Sequence, residues 1–97
     1  MHVISKKTLK TFWEEYPDSE DALTAWFNTM RDGKFTTFHE LKTKAFGTAD
    51  RVGKKIVFNI GGNKYRLIAV IHFDRQKAFI RNVLTHKEYD KGEWKNG

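Results

Sequence analysis

Cysteine is absent from this 97-residue chain, which excludes thiol catalysis, disulfides and thiolate metal sites together. The histidines, His2, His39, His72 and His86, are too scattered in sequence to show metal-ligand spacing, so no metal and no cofactor is expected. Long apolar runs are missing as well: nothing approaches the ~20 residues of a membrane-spanning helix. No lipidation motif occurs, and Met1-His2-Val3-Ile4-Ser5-Lys6-Lys7 lacks the apolar stretch and cleavage site of a secretory signal. The expectation is a cytoplasmic protein without membrane contact. Acidic residues are the scarcer charge, 12 against 18 Lys and Arg, for a net charge of +6 and a pI near 9.7. Polyanions are therefore favoured partners, nucleic acid first and an acidic protein second.

What is present suits one globular domain spanning residues 1–97. The chain is 39% hydrophobic and 14% aromatic, enough for a single core and too apolar for disorder. His2 to Ile4 reads as a short strand. Ser5 is placed to cap a helix to about Tyr16, with Leu9, Phe12, Trp13 and Tyr16 at helical spacing and Pro17 as its stop. Asp18 or Ser19 caps a second helix whose apolar face is Ala22, Leu23, Trp26, Phe27 and Met30, with Gly33 expected as a left-handed cap. Thr37 and Glu40 have capping-box spacing, which predicts a short third helix to about Phe46. Gly47 to Asp50 is the most loop-like stretch.

The period then changes to two. Ile56, Phe58 and Ile60 alternate with Lys55, Val57 and Asn59 in a strand, and Gly61-Gly62-Asn63 is hairpin turn chemistry. In the next strand Tyr65, Leu67, Ala69, Ile71 and Phe73 share one face, opposite Lys64, Arg66, Ile68, Val70 and His72. Asp74 to Lys77 turns the chain into a last strand, Ala78 to Thr85. The class is α+β, in the order βαα(α)βββ, with the helical pair packed on one face of an antiparallel sheet and the other face left for polar work. The tail from Lys91 to Gly97, polar around one Trp, reads as frayed.

RNA cleavage without a metal needs a base near the 2′-hydroxyl, an acid near the leaving 5′-oxygen and cations around the phosphate. Arg66 and Arg81 on neighbouring strands, with His86 and Tyr89 just after the last one, supply those groups. Alternation groups Arg66 with Ile68 and Val70, and Arg81 with Phe79 and Val83. Whether the two arginines face the same side depends on a register in which one residue of slip reverses the answer.

The strings Val57-Phe58-Asn59-Ile60-Gly61-Gly62-Asn63-Lys64-Tyr65-Arg66, Phe79-Ile80-Arg81 and Thr85-His86-Lys87-Glu88-Tyr89-Asp90 resemble the HigB toxins of bacterial type II toxin–antitoxin systems. His2-Val3-Ile4, Lys7-Thr8-Leu9-Lys10 and Phe12-Trp13-Glu14-Glu15-Tyr16-Pro17 extend the resemblance over nearly the whole chain. It implies a RelE-like fold and a ribosome-dependent mRNA endoribonuclease, or mRNA interferase, acting in the A site and silenced by a HigA-type antitoxin. Operator DNA would be contacted only through the antitoxin complex. By the same resemblance Arg66 and Arg81 stabilise phosphate, His86 and Tyr89 are acid–base residues, and Asp90 orients one of them. Lys54, Lys55, Lys64 and Lys87 would add RNA contacts, with lysines as alternatives for the general base.

Blander readings stand beside these. His86 is equally suited to ending a strand against a turn carbonyl, Tyr89 to packing its ring, and mid-strand arginines to cross-strand ion pairs. The main rival is a non-catalytic basic module that docks on RNA or the ribosome.

Overall fold

The computed structural model of the chain describes residues 1–96. It contains β1 (His2–Ile4), α1 (Lys6–Glu15), α2 (Glu20–Asp32), α3 (Phe38–Lys44), β2 (Asp50–Val52), β3 (Lys55–Ile60), β4 (Tyr65–His72), β5 (Lys77–Thr85) and α4 (His86–Lys91). A 3₁₀ turn at Pro17–Ser19 joins α1 to α2, and another, Glu93–Asn96, follows α4. The strands form one sheet in the order β1-β5-β4-β3-β2. The antiparallel pairs β2–β3, β3–β4 and β4–β5 follow from short turns. β1, reached from β5 only across the whole chain, pairs with it parallel, His2 opposite Lys77 and Ile4 opposite Phe79. The sheet is therefore mixed rather than wholly antiparallel. β2 lies partly in the stretch expected to be loop; its three exposed residues carry no alternation to reveal a strand.

One irregularity governs the rest. Along β4–β5, Leu67 faces Val83 and Ile68 faces Asn82, but Ala69 faces Ile80, so Arg81 is an extra residue on β5. Such a bulge leaves its residue unpaired and re-aims the side chains around it.

The three helices before the sheet cover one of its faces. Leu9, Leu23, Met30 and Leu41 are buried against Phe58, Leu67 and Ala69. At ~1.5–3 kcal/mol for each large apolar side chain taken from water, this packing is what holds α1. Its 10 residues fall below the ~12–15 that an isolated helix needs. Thr37 caps α3 as expected, accepting from the Glu40 backbone at 3.1 Å. Ser5 and Ser19 sit at N-cap positions without a side-chain capping bond; Ser19 Oγ instead donates to the Tyr16 carbonyl at 2.7 Å. Gly33 is extended, at φ −81° and ψ 150°, not left-handed. A Cβ there would strike the Phe35 ring, so close approach explains the glycine.

The opposite face is not left bare, and the tail is not frayed where it is described. Val57 and Ile68 are covered by Trp94, itself only 5% exposed, with Leu84 and Tyr89 alongside. The reason is apolar area: an indole folded back across β3 and β4 takes its own large apolar surface, and that of Val57 and Ile68, out of water.

Candidate active site

The β5 bulge and the C-terminal fold-back enclose a concavity of about 350 Å³ lined by Arg81, Asn82, Leu84, Glu88, Lys91, Glu93 and Trp94. Strict alternation groups Arg81 with Val83; in the structure Val83 packs with the helix-side core, and the bulge sends Arg81 and Asn82 to the other side. Arg66 belongs to that side too, being paired through Asn59 and Leu84. Among the described residues the side chains of Arg81, Asn82, Lys91 and Glu93 have no hydrogen bond or ion pair. Of these, Arg81, Asn82 and Lys91 are donors, and donors held unpaired on a concave wall are poised to receive an anion, while the Glu93 carboxylate can only accept.

α4 supplies the next groups. Thr85 and Glu88 form a capping box, Thr85 N donating to Glu88 Oε1 at 2.9 Å and Glu88 N to Thr85 Oγ1 at 3.2 Å. Gly92 ends the helix in the left-handed region at φ 75°, where a β-carbon is disfavoured. One helical turn brings His86 Nδ1 within 2.9 Å of Asp90 Oδ2, both side chains about half exposed. Lys87 is exposed on the same helix. Tyr89 turns inward, stacked on Trp94 with ring centroids 5.1 Å apart and planes 12° from parallel.

Arg66 is more enclosed than a solvated strand arginine, at 8% exposure. Its guanidinium donates to the Asn63 and Tyr65 carbonyls at 3.2 and 3.1 Å and to Asn63 Oδ1 at 2.5 Å, and its Cζ lies 5.2 Å from the Tyr89 ring centroid. It thus ties the β3–β4 turn to α4. Lys55 reaches the Trp94 carbonyl at 2.5 Å, and Lys64 pairs with Asp18 at 2.6 Å. Lys54 is exposed beside Gly53 in the β2–β3 turn.

Asp18 anchors the far side of this hairpin. Lys64 and the Tyr65 hydroxyl each donate to its carboxylate at 2.6 Å. The Lys64 hydrogen bond, then that of Tyr65, holds the Asp18 carboxyl below its ordinary value. The Tyr65 phenol, donating to that carboxylate and also buried, is pushed up from 10.0 to about 12.

The expected residues are therefore joined in pairs: Arg66 with Tyr89, His86 with Asp90, and Arg81 with the concavity wall. Trp94 joins the first of these to the last, stacking on Tyr89 while lining the concavity. Arg66, His86 and Tyr89 do not themselves line it. A second concavity, about 410 Å³ between α1 and β5, is lined by Ser5, Lys7, Thr8, Thr11, Phe12, Glu15 and Val83 and holds none of the expected residues. Sequence reasoning missed Asn82, Glu88, Lys91, Glu93 and Trp94. Of these, Glu88 was findable from its capping-box spacing to Thr85.

Residues 19–92 match the HigB toxin family, described as the RelE-like toxic component of a toxin-antitoxin system. The chain belongs to the HigB family. It is 43% identical over 93 residues to the mRNA interferase toxin HigB of Escherichia coli strain K12, covering 93% of this chain and 88% of that protein. The mRNA interferase HigB of Shigella flexneri gives the same figures, 43% over 93 residues with 93% and 88% coverage. That of Escherichia coli O6:H1 is 34% identical over 94 residues, covering 94% of this chain and 90% of the relative. Membership of HigB, a toxin family of toxin–antitoxin systems, implies an antitoxin partner. Residues 19–92, matched by the family, contain the bulge, all of α4 and its Gly92 cap.

Proposed function

We propose that this chain is an mRNA endoribonuclease, the toxin of a type II pair, which cuts messages in the ribosomal A site and so inhibits translation. It works in the cytoplasm and is silenced by a HigA-type antitoxin, meeting operator DNA only within that complex. The relatives' name, mRNA interferase, supports the activity. The observation that carries the assignment to this face is the unpaired Arg81 on the bulge, on the side of the sheet that α4 covers with its His86–Asp90 pair.

The reaction is attack of a ribose 2′-oxygen on the adjacent phosphorus. A base takes the 2′-proton, the 5′-oxygen leaves with a proton from an acid, and a 2′,3′-cyclic phosphate remains. Arg81 meets the phosphate as its charge grows, and Arg66 supports it through Tyr89. Asp90 steadies the Nδ1 side of His86, leaving Nε2 to exchange a proton. Tyr89 carries the other acid–base role. The exposed Lys54 and Lys87 draw the RNA backbone to this side, whereas Lys55 is engaged by the Trp94 carbonyl and Lys64 by Asp18. The ribosome presents a strained single strand, so the toxin need only complete the site.

Primer extension on translated messages after brief induction tests this. In-frame cuts with growth arrest, both lost in Arg81→Ala and His86→Ala, are expected. Tolerated expression with no cuts would instead favour the non-catalytic RNA- or ribosome-binding module.

A further inference from the structure

α4 has a problem of its own. It is six residues long and none of its residues is fully buried, so length does not hold it; its one apolar contact with the sheet is the partly buried Tyr89 ring, and at its start His86 N donates to the Lys64 carbonyl at 3.2 Å. The cap, Gly92 and the His86 bond fix its ends, but none of them fixes where the Tyr89 ring sits on the sheet.

Trp94 does. Its Nε1 donates to the Tyr89 carbonyl at 3.0 Å, the same oxygen that receives Gly92 N at 3.0 Å. Its ring stacks on Tyr89, its underside covers Val57 and Ile68, and its own carbonyl accepts from Lys55 Nζ at 2.5 Å. One side chain beyond the end of α4 thereby joins β3, β4 and the helix, and with Arg66 it brackets the Tyr89 ring. We infer that Trp94 is a positioning residue, a C-terminal clasp that sets Tyr89 and the rest of α4 against the Arg81 wall. The inference rests on the nuclease reading for its kinetic consequence but not for its structural one.

The clasp acts through orientation rather than affinity. Trp94 exposes too little surface to contribute much to RNA binding, whereas a displacement of ~1 Å in a catalytic group lowers a rate by ~10²-fold. Loss of the clasp therefore lowers kcat and leaves KM nearly unchanged.

The test compares Trp94→Leu, which refills the apolar site without a stacking ring, with Trp94→Phe, which keeps the stack. Leu41→Ala, on the helical side of the sheet, is a control for lost stability. Cleavage of ribosome-bound mRNA is measured below the unfolding temperature of every variant, and hydrogen exchange is followed on the α4 amides. Trp94→Leu should lose at least ~10-fold in kcat with KM within ~3-fold, and its α4 amides should exchange at least ~10-fold faster. Trp94→Phe, which keeps the stack and loses only the Nε1 hydrogen bond, should lie between Trp94→Leu and the parent in both readouts. Leu41→Ala should lower Tm and leave kcat and α4 exchange alone. Parental kcat in Trp94→Leu overturns the inference, as does equal loss in Trp94→Phe or in the control. A parent that cuts nothing overturns the nuclease reading alone, and exchange then decides the clasp.

Discussion

Arg81 is the residue on which most depends, because a single extra position in β5 turns it away from the core-side partner that counting assigns it. In the proposed reaction, removing its guanidinium takes away charge stabilisation that exists only as the phosphate is attacked. Arg81→Ala should therefore lower kcat by ~10²–10³-fold, the range seen when one oxyanion donor is lost. Arg81→Lys should recover part of it, since a point charge lacks the fork that meets two oxygens. Rates measured on the same ribosome-bound message separate the two. Asp18 sets a pH dependence of stability instead. Its carboxyl is depressed below the ordinary 3.8, so its contribution is present above that value and lost as pH falls through the folded-state value. The Tyr65 phenol is raised from 10.0 to about 12, so its contribution is complete below 10.0 and lost as pH rises toward 12. Thermal unfolding of Asp18→Asn should differ most from the parent between those limits and converge with it in strong acid and alkali.

At the scale of elements, α4 is the part that the proposed chemistry needs and the sheet alone does not provide. Thr85→Ala removes one half of a capping box and should cost about 0.5–2 kcal/mol, read as a lower Tm with faster exchange at the Glu88 amide. The order of helices and long strands was legible because Leu9, Leu23 and Met30, and then Ile56, Phe58 and Ile60, state their periods plainly. Thr37 announced α3 in the same way. The bulge was not legible, because it is a property of pairing between β4 and β5 and leaves no mark in either strand alone. β2 is too short and exposed to signal itself, and α4 was hidden in a string read for its functional groups rather than for the Thr85 to Glu88 spacing. Trp94 looked like a lone aromatic in a polar tail. Its burial is decided by Val57 and Ile68, far away in sequence.

For the whole molecule, a net charge of +6 and the exposed Lys54 and Lys87 place the electrostatics in binding rather than in fold. Affinity for single-stranded RNA should fall with salt at a logarithmic slope of roughly 0.7 per neutralised phosphate, and a flat salt response would remove nucleic acid from the account. Among the described residues no helix is long and apolar enough to cross a membrane. The central claim is that the face built by the β5 bulge and α4 makes a ribose 2′-oxygen attack its neighbouring phosphate. It is met most directly by a ribosome-bound message carrying one 2′-deoxy nucleotide at the mapped cut. That message should bind as the all-ribose one does and stay intact at that linkage, while the all-ribose message yields a 2′,3′-cyclic phosphate end. Cleavage of the deoxy linkage at the ordinary rate would contradict the claim.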